Sequence, residues 1–312
     1  MKTDVTKLGG VPETMLYTFY MRYLESRRPD GIISDPRYEE ILSRIHLDLS
    51  AFEPHPEESP LFFACRSVII DNAAKLFIAA NPLATVVSFG SGLDFRFERV
   101  DNGTIHWYDI DLPEALEIRR AIFTQSEREH FIPSSALDVA WSSRVTGKPP
   151  VLFIAEGLFM YFTPDEVKSL LSFLSGAYPG SMLVLDASTT LYNTATREGT
   201  PYPFLNRMCS LWKWSVNSAR ELEGYSPGIS VVEEWRLMEM FRSRMPRHLK
   251  DLFASEELPG YVKEQLMGMT TIYLVKLGPP PRGKRMESGA TGELPEAIID
   301  TILSDQSDGT AS

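Results

Sequence analysis

Side chains able to do chemistry gather around a glycine turn. Residues 84–96 read Ala-Thr-Val-Val-Ser-Phe-Gly90-Ser-Gly92-Leu-Asp94-Phe-Arg96. Val86, Val87 and Phe89 form the β-branched and aromatic run of a buried strand. Gly90 and Gly92 let the chain turn sharply and let a ligand approach the backbone. A second strand-like run, Ile105 to Tyr108, ends at two acids, and Asp111 lies nineteen residues beyond Gly92. Strand, glycine turn, helix, strand and acid make up the layout of a nucleoside site on a parallel sheet, in which the acid accepts hydrogen bonds from two ribose hydroxyls. NAD and S-adenosylmethionine both fit that outline. Phe95 stands where a dinucleotide fingerprint places its third glycine, which disfavours NAD and leaves adenosine-type ligands without a pyrophosphate. The same spacing also suits an ordinary strand–turn–helix with a solvated acid.

The elements that position this turn follow from periodicity. Residues 12–48 read as helices, with Met15, Phe19, Tyr20 and Tyr23 on one face and Arg22, Arg27 and Arg28 elsewhere. Asp30-Gly31 marks a turn and Asp35-Pro36 starts another helix. A helix over 61–80 carries Phe62, Val68, Ile69, Ala73 and Phe77 as core candidates, interrupted by Arg66 on what reads as a solvated face. Pro113 opens a helix with Ala115, Leu116, Ile118, Ile122 and Phe123 inward and Glu114, Glu117, Arg119 and Arg120 outward. Strands are expected at Phe131–Pro133, at Pro150–Ala155 and at Ser181–Leu185, the last followed by Asp186. Thr163-Pro164-Asp165-Glu166 is a helix start, with the helix running to about Ala177.

This alternation predicts an α/β fold with a doubly wound sheet. Residues 188–227 break the rhythm, and their aromatics, Tyr192, Tyr202, Phe204, Trp212, Trp214 and Tyr225, suggest a helical cap over the carboxyl ends of the strands. Ile229–Val232 then reads as a strand, Glu233–Arg242 as a helix and Thr270–Lys276 as a final strand. The expected organisation is one domain over 1–278: N-terminal helices at 12–80, a cofactor core at 83–187 and 228–278, and the cap between. Residues 279–312 read as a flexible tail in which Leu294, Ile298, Ile299, Ile302 and Leu303 have helical spacing.

Composition narrows the classes. A net charge of −11 argues against nucleic acid or an anionic membrane as the main partner. No apolar run approaches the ~20 residues of a membrane span, and no apolar signal core follows the N-terminus. Two cysteines, Cys65 and Cys209, suit buried fillers, and the five histidines do not cluster, so a metal-free, cytoplasmic protein is expected.

Phe89–Arg96, then Trp107-Tyr-Asp-Ile-Asp-Leu-Pro113, then Ala155-Glu-Gly-Leu-Phe-Met-Tyr-Phe162 resemble the leucine carboxyl methyltransferase superfamily. The resemblance is nearest to its tetracenomycin-type polyketide O-methyltransferases. Thr14-Met-Leu-Tyr and Arg22-Tyr-Leu-Glu-Ser-Arg-Arg-Pro-Asp30 share it, and it spans about 10–278. It implies a class I, Rossmann-like methyltransferase with a seven-stranded, mostly parallel sheet, S-adenosylmethionine as cofactor and a helical insertion. It places Gly90 and Gly92 under the cofactor, Asp111 on the ribose, Glu156 by the methionine ammonium and Arg66 on the methionine carboxylate. Ser135 and Ala136 fall at the adenine position, with Asp138 the nearby acid.

The chemistry agrees with those assignments. The cofactor's methionine end is a zwitterion and its ribose a diol, so one cation and two acids suffice. A guanidinium fork suits a carboxylate. An acceptor that is a carboxylate is already ionised at pH 7 and needs no base. A phenol needs one, for which His106 and Tyr161 are the candidates, though His106 also reads as a strand residue and Tyr161 as packing. The expected activity is O-methyl transfer to a small polyketide-like or aromatic acceptor, with Tyr202, Trp212 and Trp214 against its flat face. The alternatives are methylation of a protein's C-terminal carboxylate, or a non-catalytic subunit that binds the cofactor.

Overall fold

A computed structural model describes residues 2–5, 8–147 and 149–278. Besides a short parallel pair, Thr3–Asp4 with Ile45–His46, its main sheet has seven strands: Thr85–Phe89 (β1), His106–Asp111 (β2), Glu129–Pro133 (β3), Val151–Ala155 (β4), Met182–Ser188 (β5), Ile229–Arg236 (β6) and Thr270–Leu277 (β7). They pair in the order β3-β2-β1-β4-β5-β7-β6, parallel except for β7, which runs antiparallel to both of its neighbours. Every residue of β1 and β4 is buried. Helices cover both faces of these central strands, which explains their uninterrupted apolar runs.

Three helices precede the sheet: Thr14–Ser26 (α1), Arg37–Arg44 (α2) and Ser59–Ala80 (α3). Arg96–Val100 (α4) and Pro113–Ile122 (α5) follow β1 and β2, and Pro164–Ala177 (α6) follows β4. Thr163 and Glu166 close a reciprocal capping box at the start of α6. Val167, Leu170, Leu171 and Leu174 of α6 pack on Phe153, Leu183 and Leu185 in one core cluster. A second cluster joins Phe19 and Tyr20 of α1, Leu116 of α5 and Phe204 and Trp212 of the cap, on the side where the strands end. The free Cys65 and Cys209 are both buried.

The cap comprises Thr190–Arg197 (α7), Pro203–Ser210 (α8) and Ala219–Glu223 (α9). A further insertion joins β6 to β7 through Leu237–Met240 (α10), Arg247–Ala254 (α11) and Gly260–Met267 (α12). Its Met238, Met245 and Phe253 form a small core of their own. The expected helix over Glu233–Arg242 is corrected: β6 continues to Arg236 past a register shift between Val231 and Glu233. An edge strand tolerates paired glutamates on its solvent side, and the bulge hides its period of two. The expected tail and its apolar spacing at Leu294–Leu303 lie outside the described residues.

Candidate active site

A cavity of about 200 Å³ opens where β1, β2, β4 and β5 end. Its floor is the turn Gly90-Ser91-Gly92, and Arg22, Arg66, Asp111, Glu156 and Asp186 stand in its wall. Gly90 and Gly92 have φ of +64° and +48°, a left-handed backbone that glycine adopts at little cost. A Cβ on Gly90 would stand 3.1 Å from Leu158, and one on Gly92 2.9 Å from the Cβ of Met15. Both oxygens of Asp111 accept backbone N–H groups at 2.7 Å, from Gly92 and from Leu112. Burial nevertheless raises its pKa to about 6, against the pull of those two N–H groups. Each oxygen keeps a lone pair for a hydroxyl. Ser91 Oγ, between the glycines, is buried without a hydrogen-bond partner among the described residues.

Beside the turn lies a closed set of buried ion pairs. Glu156 accepts from Arg66 Nε at 2.9 Å, from Arg96 Nη2 at 2.5 Å and from Arg22. Arg66 also reaches Asp186 at 3.0 Å. Asp94 pairs with Arg96 at 2.6 Å and with Arg99 at 3.0 Å, and Asp71 pairs with the same two arginines. Four guanidinium groups thus balance four carboxylates, and the fit offsets much of the desolvation that buried charge costs. Burial would raise the Glu156 carboxyl, but Arg22, Arg96 and Arg66 outweigh it and hold it below the usual carboxylate range. Asp186, with Arg66 as its cation, stays raised by burial.

The upper wall is apolar. α1 and α3 supply Met15, Phe19, Phe62 and Phe63; the cap supplies Tyr192, Met208 and Trp212; the β6–β7 insertion supplies Met238, Leu249 and Met269.

The structure brings Arg66, Gly90, Gly92, Asp111 and Glu156 into one cavity, together with Tyr161 and Trp212. Other expected residues stand outside its wall. His106 is exposed at the amino end of β2, its ring stacked on His130 at 6.4 Å, far from the carboxyl ends where the cavity opens. Trp214 is drawn into the sheet core against Phe159 and Tyr225, and Tyr202 packs at the rim of the cap cluster. Ser135 and Ala136 follow β3, next to β2 through the bond from Ser134 N to the Asp111 carbonyl at 2.9 Å, but do not line the cavity. Arg22, read as pointing away from the core, is 5% exposed and bonded to Glu156. Arg119, read as outward, is 1% exposed. Sequence reasoning also passed over Asp186 as a partner of Arg66, although its place at a strand end was a signal.

The residues fit a zwitterionic nucleoside: an acid with lone pairs to spare beside the glycine turn for the diol, and guanidinium and carboxylate groups for the charged end. This sheet order, with its one antiparallel strand and its site over the carboxyl ends, defines a class I, S-adenosylmethionine-dependent methyltransferase. The chain belongs to the leucine carboxyl methyltransferase family, which its residues 16–175 match. It is 27% identical over 237 residues to the tetracenomycin polyketide synthesis O-methyltransferase TcmP of Streptomyces glaucescens, covering 76% of this chain and 86% of that one. It is also 27% identical over 245 residues to an S-adenosyl-L-methionine-dependent methyltransferase of Gibberella zeae, covering 72% and 82%. Among solved structures, a DUF574 family protein of Streptomyces avermitilis shares the fold, with a TM-score of 0.52 and 12% identity over 84% of this chain and 97% of that one. No helix among the described residues is long and apolar enough to cross a membrane.

Proposed function

We propose that the chain transfers a methyl group from S-adenosylmethionine to an oxygen of a small, flat, largely apolar acceptor of secondary metabolism. One observation carries this reading: the glycine turn, the charged residues beside it and the Met-, Phe- and Trp-lined upper wall share one cavity. The likeness to a polyketide O-methyltransferase supports it. Asp111 takes the ribose hydroxyls, Arg66 the methionine carboxylate and Glu156 the ammonium, while Ser135 and Ala136 lie toward the adenine end. When bound, the cofactor supplies a sulfonium methyl group open to in-line displacement. The chain contributes position and the exclusion of water. Burial raises the pKa of the Tyr161 hydroxyl, so at pH 7 it holds its proton and serves as a donor, not a base. Trp212 stands at the acceptor's face; Tyr202 and Trp214 support the cap behind it.

The test is incubation with deuteromethyl-labelled cofactor and a panel of hydroxynaphthoic and anthraquinone carboxylic acids, read by mass spectrometry. The expected product carries label on oxygen, as an ester cleaved by base or an aryl ether that resists it. Binding of S-adenosylhomocysteine without transfer to any oxygen acceptor overturns the reading.

A further inference from the structure

We propose that Arg119 is a positioning residue that sets the glycine turn, and through it Asp111, for the nucleoside. The proposal rests on the placement of the ribose beside Asp111. Arg119 sits on α5, behind the turn as seen from the cavity. Its Nη1 donates to the carbonyls of Gly92 at 3.2 Å and Asp94 at 2.5 Å. Its Nη2 donates to Asp109 at 2.7 Å and Glu129 at 3.4 Å. The rings of Phe123 and Phe131 flank the guanidinium at 4.7 and 4.9 Å and fix its plane.

Gly92 is therefore held at both ends. Its N–H is bonded to Asp111 in front and its carbonyl to Arg119 behind. A carbonyl left free to swing into the cavity would face the ribose oxygens lone pair to lone pair. With both carbonyls bound to Arg119, the turn stays closed on Asp111 and leaves the outer lone pairs of that carboxylate for the ligand. Only a planar fork can serve two carbonyls and two carboxylates at once; a lysine ammonium is a point charge with three donors. Asp109 and Glu129 anchor the fork to β2 and β3, so the turn inherits the rigidity of the sheet.

Calorimetric titration with S-adenosylhomocysteine and with 5′-methylthioadenosine, which lacks the amino-acid end, tests this. Arg119→Lys keeps the charge opposite Asp109 and Glu129. It is expected to weaken both ligands by the same factor, about tenfold, through lost positioning. In the Asp111→Ala background the same change is expected to cost less than about threefold, because the two residues act in series. An R119K protein within about twofold of wild type, beside an impaired D111A, overturns the role of Arg119, as do effects that multiply in the double variant. D111A binding like wild type overturns the placement of the ribose and this inference with it. Should R119K fail to fold, Asp109→Asn decides. It loosens the anchor but keeps the carbonyl contacts, and is expected to weaken both ligands equally and only when Asp111 is present; unchanged binding overturns the proposal.

Discussion

Glu156 accepts from three guanidinium groups in a wall almost closed to water, so its charge holds the cluster together. Glu156→Gln leaves Arg22, Arg66 and Arg96 short of a counter-charge. The expected loss of stability is about 3–5 kcal/mol, read from the urea midpoint. Asp111 behaves in the opposite sense. Its folded pKa of about 6 is raised above the ordinary aspartate value, so its protonated form stabilises the ligand-free fold below about pH 4, and that stability is lost as pH rises through 6. Cofactor affinity runs the other way, because only the carboxylate accepts from both hydroxyls. S-adenosylhomocysteine should bind more weakly as pH falls below 6, by up to about tenfold per unit, and Asp111→Asn should flatten the profile in calorimetry. Both acids stand at strand ends, Glu156 just before Gly157 and Asp111 nineteen residues beyond Gly92, which made them readable from sequence. Arg22 and Arg119 were not. Both were read as outward because they are charged, although Arg22 lies three residues after Phe19, and Arg119 has Ala115, Leu116, Ile122 and Phe123 three or four residues away, on the apolar stripe itself; the carboxylate of Glu156 that draws Arg22 inward is 134 residues away. Local periodicity carries no trace of such a partner.

At the level of elements, the central strands were readable because burial on both faces leaves only apolar residues. The start of α6 was readable because Thr163 and Glu166 cap it reciprocally. Thr163→Ala is expected to cost about 1 kcal/mol, lowering the thermal midpoint with cofactor affinity unchanged. The insertion between β6 and β7 was missed. Its three short helices hold too few turns to show a period, and what unites them is the cluster of Met238, Met245 and Phe253. Phe253→Ala is expected to speed amide exchange over residues 237–267 while β1 and β4 keep their protection, because this small core is separate from the sheet's. The acceptor's KM should rise with it, since Met238 and Leu249 belong to the cavity wall.

At the scale of the molecule, a net charge of −11 surrounds a site built for a ligand that is cationic before transfer and neutral after it. Association of S-adenosylmethionine should therefore slow as salt rises, while that of S-adenosylhomocysteine stays level, in stopped-flow fluorescence. The last strand among the described residues, β7, is also not an edge: it lies between β5 and β6, with Leu183 opposite Val275 and Trp235 opposite Ile272. A chain still emerging from the ribosome consequently carries two unpaired strand borders until residues 270–277 are translated. Any messenger cut short before codon 270 yields a polypeptide with those borders bare, a substrate for chaperones and proteases rather than a smaller enzyme.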